Sequence, residues 1–166
     1  MPEETVWRGT SSQWKNAGWY LLCLLLGCVI VGIFVALSRT AQPEMREVSP
    51  FILILLILPI FMALARYLQT NTKVYELTNE RLKTTEGVFS KVTDTLELYR
   101  VKDIETRQPF LNRVVGVENV QLNTSDTSSP FILIDAISSS VALGDKIRNQ
   151  VETIRAQKGV REIDVE

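Results

Sequence analysis

The stretch "YELTNERLKTTEGVFS", residues 75–90, predicts two short antiparallel strands joined by a turn at Asn79–Glu80. Apolar Tyr75 and Leu77 alternate with polar residues, and this period of two is typical of a strand that buries one face. Gly87 lies where a bulge or a sharp bend would be needed. The stretch therefore predicts a hairpin with one face in water, although it follows shortly after a strongly apolar segment.

Downstream of the hairpin the period of two continues. Strand-sized segments lie near 74–78, 81–86, 88–92, 95–98, 101–107, 117–123 and 130–135. The segment at 130–137 is almost continuously apolar, which predicts a strand buried on both faces. Leu98, Val101 and Ile104 are spaced by three, which predicts a bulge or a sharp bend at that point.

The last element changes period and predicts an amphipathic helix. Three serines at 138–140 offer N-caps, and Gly159 followed by Val160 supplies a C-terminal stop. The apolar stripe between them consists of Leu143, Ile147, Val151 and Ile154. Seven strands closed by one such helix are the outline of a barrel of the pleckstrin-homology (PH) type.

Upstream of the hairpin, two apolar runs are long enough to cross a membrane. Ala17 to Ser38 contains 22 residues without a charge, and Val48 to Ala65 contains a further 18. A bilayer core about 30 Å thick needs about 20 apolar residues in a helix. A cleaved signal peptide is the alternative for the first run, but its length, the acidic residues before it and the second run favour an uncleaved anchor.

These patterns divide the chain into a polar cytoplasmic head (1–16), a transmembrane helical hairpin (17–66, with spans at 17–38 and 48–65) and a PH-like domain (72–166). Six basic residues flank the spans on the side of the head and tail, against two in the loop at 39–47. The positive-inside rule therefore predicts a multi-pass protein of the bacterial cytoplasmic (inner) membrane, with both termini in the cytoplasm.

The composition argues against most catalytic chemistry. The chain has no histidine, and its two cysteines, Cys23 and Cys28, lie inside the first span as apolar packing residues. No phosphate-binding loop, nucleophile elbow or cluster of metal ligands appears, so we predict no catalytic residues, no cofactor and no metal site. Between Val74 and Glu166, 12 basic against 15 acidic residues give a net charge of −3, which argues against a nucleic-acid partner.

The residues "YELTNERLKTTEGVFSK" and "LELYRVKDIETRQPFLNRVVGVENVQL" together resemble the bacterial PH-domain family of small membrane-flanked proteins. The head segment "VWRGTSSQW" is also similar to that family, so the resemblance covers nearly the whole chain. Pro109 departs from the family by replacing a polar residue in the corner before Gly116. The matching positions are Tyr75, Leu77, Thr78, Arg81, Gly87, Val101, Ile104, Gln108, Leu111, Arg113 and Gly116.

The resemblance implies a fold, namely two transmembrane helices followed by a bacterial PH-like domain, but no agreed activity. In eukaryotic PH domains, phosphoinositide binding depends on a basic loop between the first two strands. This chain offers at that place only the turn from Thr78 to Arg81, with one arginine. Specific headgroup recognition is therefore not implied.

Several charged residues are candidates for a site. Arg81, Lys83 and Lys91 are candidates for contact with anionic lipid headgroups, although interleaved glutamates fit a merely solvated hairpin as well. Asp103 and Glu105 share a strand face, but pairing with Lys102 or Arg107 explains them better than chemistry does. Arg113 is expected to tie loop carbonyls at the corner.

Small residues at Cys28, Gly32 and Ala36 share one face of the first span and would let helices approach closely. They could pack against a second copy or against the second span of the same chain. We therefore expect a non-enzymatic membrane-anchored scaffold, in contact with the lipid bilayer and assembling as a homo-oligomer. The alternative is an adaptor that docks a heterologous protein or anionic headgroups at the membrane surface.

Overall fold

The computed structural model describes residues 3–39, 43–127 and 129–158. The chain forms two compact units, a helical unit at Gln13–Leu68 and a β-rich unit made of Met1–Ser12 and Gln69–Glu166. The β-rich unit is thus discontinuous in sequence, because the helical unit is inserted into it.

The helical unit begins with a 3₁₀ turn at Gln13–Asn16 that leads into α1, Ala17–Ser38. The return path consists of α2 (Pro43–Ile52), a 3₁₀ turn (Leu53–Leu56) and α3 (Ile57–Thr72). Gln13–Ser38 and Ser49–Thr72 are long and apolar enough to cross a membrane, by length and composition. The predicted loop at 39–47 is shorter than expected, because Pro43 already opens α2; residues 40–42 lie outside the described part.

The first sheet has four antiparallel strands in the order β1-β2-β3-β4. Their bounds are β1 Thr5–Thr10, β2 Val74–Thr78, β3 Arg81–Glu86 and β4 Val92–Glu97. The predicted hairpin is confirmed, since β2 and β3 pair and the Thr78 hydroxyl accepts a hydrogen bond from the Arg81 amide at 2.9 Å. Tyr75 and Leu77 are fully buried, as the alternating pattern predicts.

The second sheet has three antiparallel strands in the order β5-β6-β7. They are β5 Val101–Arg107, β6 Val117–Thr124 and β7 Phe131–Ser138, with a short helix α4 (Phe110–Val114) between β5 and β6. A last helix, α5, runs over Leu143–Lys158. The predicted stop at Gly159 and Val160 lies outside the described residues.

Both sheets and α5 share one hydrophobic core. The predicted stripe of α5 is buried in it, which confirms the amphipathic helix. Trp7 of β1 packs against the same core from the edge of the first sheet. The fully buried side chains include Tyr75, Leu77, Leu82, Leu98, Val120, Leu122, Ile134, Leu143 and Ile147.

Several predictions about the strands need correction. The strands form two sheets of four and three rather than one closed seven-stranded barrel. Residues 1–16, expected to form a separate head, are divided between the units, because Thr5–Thr10 pairs with Val74–Thr78 as the first strand of the β-rich unit. The segments near 88–92 and 95–98 are one strand, Val92–Glu97, preceded by a loop.

Two further details differ in the second sheet. The strand β7 was expected to be buried on both faces, but it lies at the edge of its sheet, with Phe131 and Leu133 exposed. The spacing by three at Leu98 and Val101 is confirmed as a bend, because a 3₁₀ turn at Leu98–Arg100 joins the sheets and the register shifts just after Val101.

Candidate functional site

One end of the first sheet is where the chain passes into and out of the helical unit. Thr10, the last residue of β1, pairs with Val74, the first residue of β2, and Val74 pairs in turn with Thr85 of β3. At the same end Glu86 pairs with Val92, the first residue of β4. We call this the connector end of the sheet.

The connectors themselves are very short. Ser11 and Ser12 separate β1 from the 3₁₀ turn at Gln13–Asn16, and Lys73 alone separates α3 from β2. The connection between the first two strands is therefore the whole helical unit, whereas the turn from Thr78 to Arg81 joins the second and third strands. The sequence-based comparison with the basic loop of eukaryotic PH domains was thus made at the wrong connection.

The loop Gly87–Lys91 joins β3 to β4 and leaves the sheet at the connector end. Its tip residue Phe89 has a relative exposure of 104%, and Val88 and Val92 beside it are also exposed. Gly87 has φ +122°, and a Cβ there would clash with the Ser90 carbonyl oxygen, so the loop requires glycine at this position. The loop is a tight turn that presents an apolar tip.

An ion pair ties the base of this loop to the connector. Lys73 Nζ lies 3.0 Å from Glu86 Oε2. Burial disfavours the charged form of Lys73, but the hydrogen bond to Glu86 and the neighbouring Tyr75 outweigh it, so the pKa of Lys73 is raised. Burial also raises the pKa of the Tyr75 phenol. The ammonium of Lys73 is therefore held as a charged partner of Glu86.

The edge strand β7 runs across the connector end. The Ser12 amide donates a hydrogen bond to the Ala136 carbonyl at 2.8 Å, and the Tyr75 hydroxyl donates to the Leu133 carbonyl at 3.5 Å. A cleft of about 200 Å³ opens between Lys73, Glu86 and Phe131. The exposed side chains of β7 thus lie on the same side of the β-rich unit as the two connectors.

The structure does not bring Arg81, Lys83 and Lys91 together as a basic patch. Arg81 lies at the opposite end of β3 from the connector end and pairs with Glu97 at 3.8 Å. Lys83 is 2.9 Å from Glu3, and this contact lowers the pKa of the Glu3 carboxyl. Lys91 is exposed beside Phe89 in the loop. Two of the three predicted lipid contacts are therefore neutralised by carboxylates, and Lys91 is the one placed at the connector end.

The other candidate residues play structural parts. Glu105 pairs with Arg107 at 2.6 Å, as expected, and Asp103 accepts a hydrogen bond from the Ile104 amide at 2.8 Å. Arg113 is exposed, and the corner is tied instead by Gln108, whose side chain donates to the Val117 carbonyl at 3.1 Å. In the described part of the chain, no three cysteine, aspartate or glutamate side chains are grouped to hold a metal ion.

Sequence reasoning missed the short helix α4 as a surface feature. Its side chains Phe110, Leu111 and Val114 are strongly exposed. The run "PFLNRVV" indicated this helix, because its apolar residues recur at helical spacing.

Inside the helical unit, α1 contacts the return path through one face. Cys23 and Ile30 are buried, and a Cβ at Gly27 would lie 3.8 Å from Leu56. Cys28 and Gly32 are exposed, and a Cβ at Gly32 would meet nothing within 4 Å. The stripe of small residues therefore does not pack against the second span of the same chain at these two positions.

The two ends of the helical unit that lead to the connectors are linked by polar and aromatic contacts. Gln13 donates a hydrogen bond to the Tyr67 carbonyl at 3.2 Å, and the Tyr20 hydroxyl donates to Gln13 at 2.6 Å. Arg66 lies 4.8 Å from the centroid of the Trp19 ring, a cation–π contact. Aromatic and basic residues at this level are typical of a membrane–water interface.

Comparison with known proteins gives one family and one structural neighbour. The family model described as "Bacterial PH domain" matches residues 20–155, which includes most of α1 and all of α2 and α3 but not β1. The solved structure "Vps36 N-terminal PH domain" matches with 21% identity and a TM-score of 0.39, over 54% of this chain and 68% of that one. No curated protein matches the chain.

Proposed function

Because the chain belongs to the bacterial PH domain family, we propose that it is a non-enzymatic membrane-anchored scaffold whose PH-like unit is held at the cytoplasmic surface of the inner membrane. PH domains are generally interaction modules without catalytic activity. The observation that carries the proposal is the pairing of Thr10 with Val74, with the whole helical unit inserted between them.

Membrane anchoring is supported by the dimensions and the surface of the helical unit. The two candidate spans have 26 and 24 residues, about 39 and 36 Å at the rise of an α-helix, against a bilayer core of about 30 Å. Large apolar side chains such as Leu24, Phe51 and Ile60 are exposed. A soluble protein rarely leaves so much contiguous apolar surface in water.

Because the connectors are short, the proposed anchor would keep the sheet near the membrane surface. Two extended residues reach at most about 7 Å and one about 3.5 Å. If the helices cross the bilayer, the connector end of the sheet must lie at the headgroups. The count of basic residues, six against two, supports a cytoplasmic location for this side.

Self-assembly is the further part of the proposal. Cys28 and Gly32 lie on a face of α1 that the described residues of the chain leave uncovered. In lipid, small residues at this spacing let helix backbones approach closely, so that dispersion and weak hydrogen bonds drive association. We propose that this face, with Ala36, packs against a second copy.

An adaptor that docks a heterologous protein is the second candidate. A cleft of about 190 Å³ lies between β5 and α5, where β5 is an edge strand. An extended peptide could add to such an edge through main-chain hydrogen bonds. Docking of anionic headgroups is less favoured, because Arg81 and Lys83 are paired with carboxylates.

The test has two steps. Membranes carrying the protein are first washed with alkaline carbonate, and the protein should stay with the bilayer. Its particle mass is then measured in mild detergent. A homo-oligomer with nothing else bound favours the scaffold, whereas near-equal stoichiometry with one other protein favours the adaptor. Release by the alkaline wash would overturn both.

A further inference from the structure

We infer that the loop Gly87–Lys91 is a second membrane contact, in which Phe89 and Val88 enter the interfacial layer of the bilayer that the two helices cross. The inference rests on the proposed anchoring and adds a site to it. The ligand is a lipid surface, recognised through apolar insertion rather than through a headgroup pocket.

The register of the strands decides where the loop Gly87–Lys91 leaves the sheet. Antiparallel pairing aligns Thr10, Val74, Thr85 and Thr93 across the four strands, and Glu86 with Val92 is the next and last pair before the loop. The loop therefore leaves the sheet at the same end as the two connectors. A unit tethered by connectors of two residues and one residue presents this end to the headgroups.

The tip of the loop is apolar and exposed. Phe89 is fully exposed and Val88 and Val92 are partly exposed, so the described β-rich unit leaves the tip of the loop largely uncovered. Aromatic and branched apolar side chains of this kind bind the boundary between headgroups and acyl chains. Lys91 lies beside them, exposed, and a cation there is attracted to an anionic leaflet.

Two features hold the loop in one conformation. Gly87 adopts φ +122°, and the Ser90 carbonyl occupies the space that a Cβ at Gly87 would need, so the chain makes a tight turn here. The ion pair between Lys73 and Glu86 joins the base of the loop to the single residue that connects α3 to β2. The tip is thus held relative to the connector and does not need to be ordered when it meets the membrane.

The experiment uses the full chain in vesicles of phosphatidylcholine and phosphatidylglycerol, with Cys23→Ala and Cys28→Ala as background. An environment-sensitive fluorophore is attached at one of three positions, Ser90→Cys, Glu80→Cys or Ile60→Cys. Ser90 leaves Phe89 intact, Glu80 lies in the turn at the opposite end of the sheet, and Ile60 is an exposed residue of α3 near the middle of the second candidate span. Nitroxide groups are placed at a shallow or a deep position of the lipids. The quenching of the fluorophore by each of them reports its depth in the bilayer.

We expect shallow quenchers to act on Ser90→Cys, deep quenchers on Ile60→Cys and neither on Glu80→Cys. Adding Phe89→Ser should shift the ratio of inserted to withdrawn loop by roughly tenfold toward withdrawn, because burial of a large apolar side chain is worth about that factor. Phe110→Ser is the matched control, since Phe110 is also strongly exposed but belongs to α4, and it should leave the quenching unchanged.

The outcomes separate the two proposals. If Ile60→Cys is quenched and Ser90→Cys behaves like Glu80→Cys, the loop contact is overturned and the anchoring stands. If Ile60→Cys is not quenched, the anchoring itself fails. A blue-shifted Ser90→Cys signal without lipid quenching would mean that protein covers the loop, and would also overturn the inference.

Discussion

Thr10 and Val74 are paired across β1 and β2, at the point where the chain leaves the PH-like unit and where it returns. Both ends of the helical unit are thereby tied to neighbouring strands of one sheet. The first strand of this sheet therefore precedes the helical unit in the chain, and the other three strands follow it.

Replacing Trp7 by alanine should destabilise the PH-like unit. Trp7 is partly buried against the shared core, so we expect a loss of about 2 kcal/mol, below the values for fully buried aromatic residues. The measurement is thermal unfolding of the detergent-solubilised protein by circular dichroism in the β-sheet region. Val6→Ala on the same strand is the control, because Val6 is exposed. Equal stability of Trp7→Ala and the unmodified protein would mean that β1 is dispensable.

Gly87→Ala should strain the β3–β4 loop. A side chain at φ +122° is unfavourable, and its Cβ would also meet the Ser90 carbonyl, so a cost of about 1–3 kcal/mol is expected. The same unfolding measurement applies. Ser90→Ala is the matched change in the same loop and should be nearly neutral, because the Ser90 side chain is exposed. A neutral Gly87→Ala would show that the loop has another conformation.

The contact between Glu3 and Lys83 predicts a dependence on acid. The pKa of Glu3 is lowered in the folded state, first of all by its hydrogen bond to Lys83. Its contribution is therefore present above the ordinary pKa of a glutamate, about 4.3, and is lost as the pH falls through the lower folded value. The fall in melting temperature between neutral pH and strong acid should be smaller in Glu3→Gln.

The control for that experiment is Glu4→Gln. The Glu4 side chain makes no ion pair with another described residue, so the acid-induced fall should match that of the unmodified protein. The side chains of Lys83 and Glu3 are each about one-third exposed, and the effect should therefore be small and weakened by salt. Identical pH profiles for all three proteins would show that the contact contributes nothing.

Gly32→Leu should weaken self-assembly. The position is open in the single chain, so leucine fits without disturbing the helical unit, but it would push apart two copies packed through this face. The measurement is particle mass in mild detergent. Leu26→Phe, at an exposed position about 120° around α1 from Gly32, should leave the mass unchanged. An unchanged oligomer in Gly32→Leu would show that this face does not mediate assembly. A monomeric unmodified protein would contradict the scaffold proposal.

Local patterns in the sequence were sufficient for the hairpin at 75–90 and for α5. Each has a period that one buried face imposes, and each can be recognised without its partner. The strand at Thr5–Thr10 could not be recognised in this way, because most of its side chains are exposed and its partner strand follows the helical unit. Strand pairing between distant segments is decided by the fold as a whole.

The candidate site was predictable only in part. Val88 and Phe89 have strong strand propensity, so the sequence predicted a strand where the structure has a loop. Lys91 was identified by its charge, but its position beside an exposed phenylalanine depends on the turn at Gly87. The carboxylates that neutralise Arg81 and Lys83 come from β4 and from the N-terminal segment, and neither contact is visible in the alternation of charges along the hairpin.

The arrangement of the two units across the membrane is tested most directly by thiol accessibility. Single cysteines are placed at Glu4, Gln42 and Glu80 in a background of Cys23→Ala and Cys28→Ala, and a membrane-impermeant maleimide is applied to intact and to lysed spheroplasts. We predict that Gln42→Cys is labelled in intact spheroplasts. Glu4→Cys and Glu80→Cys should be labelled only after lysis, because β1 and β2 belong to one sheet, which we propose to lie on the cytoplasmic side. Labelling of Glu4→Cys and Glu80→Cys on opposite sides, or of all three in intact spheroplasts, would contradict it.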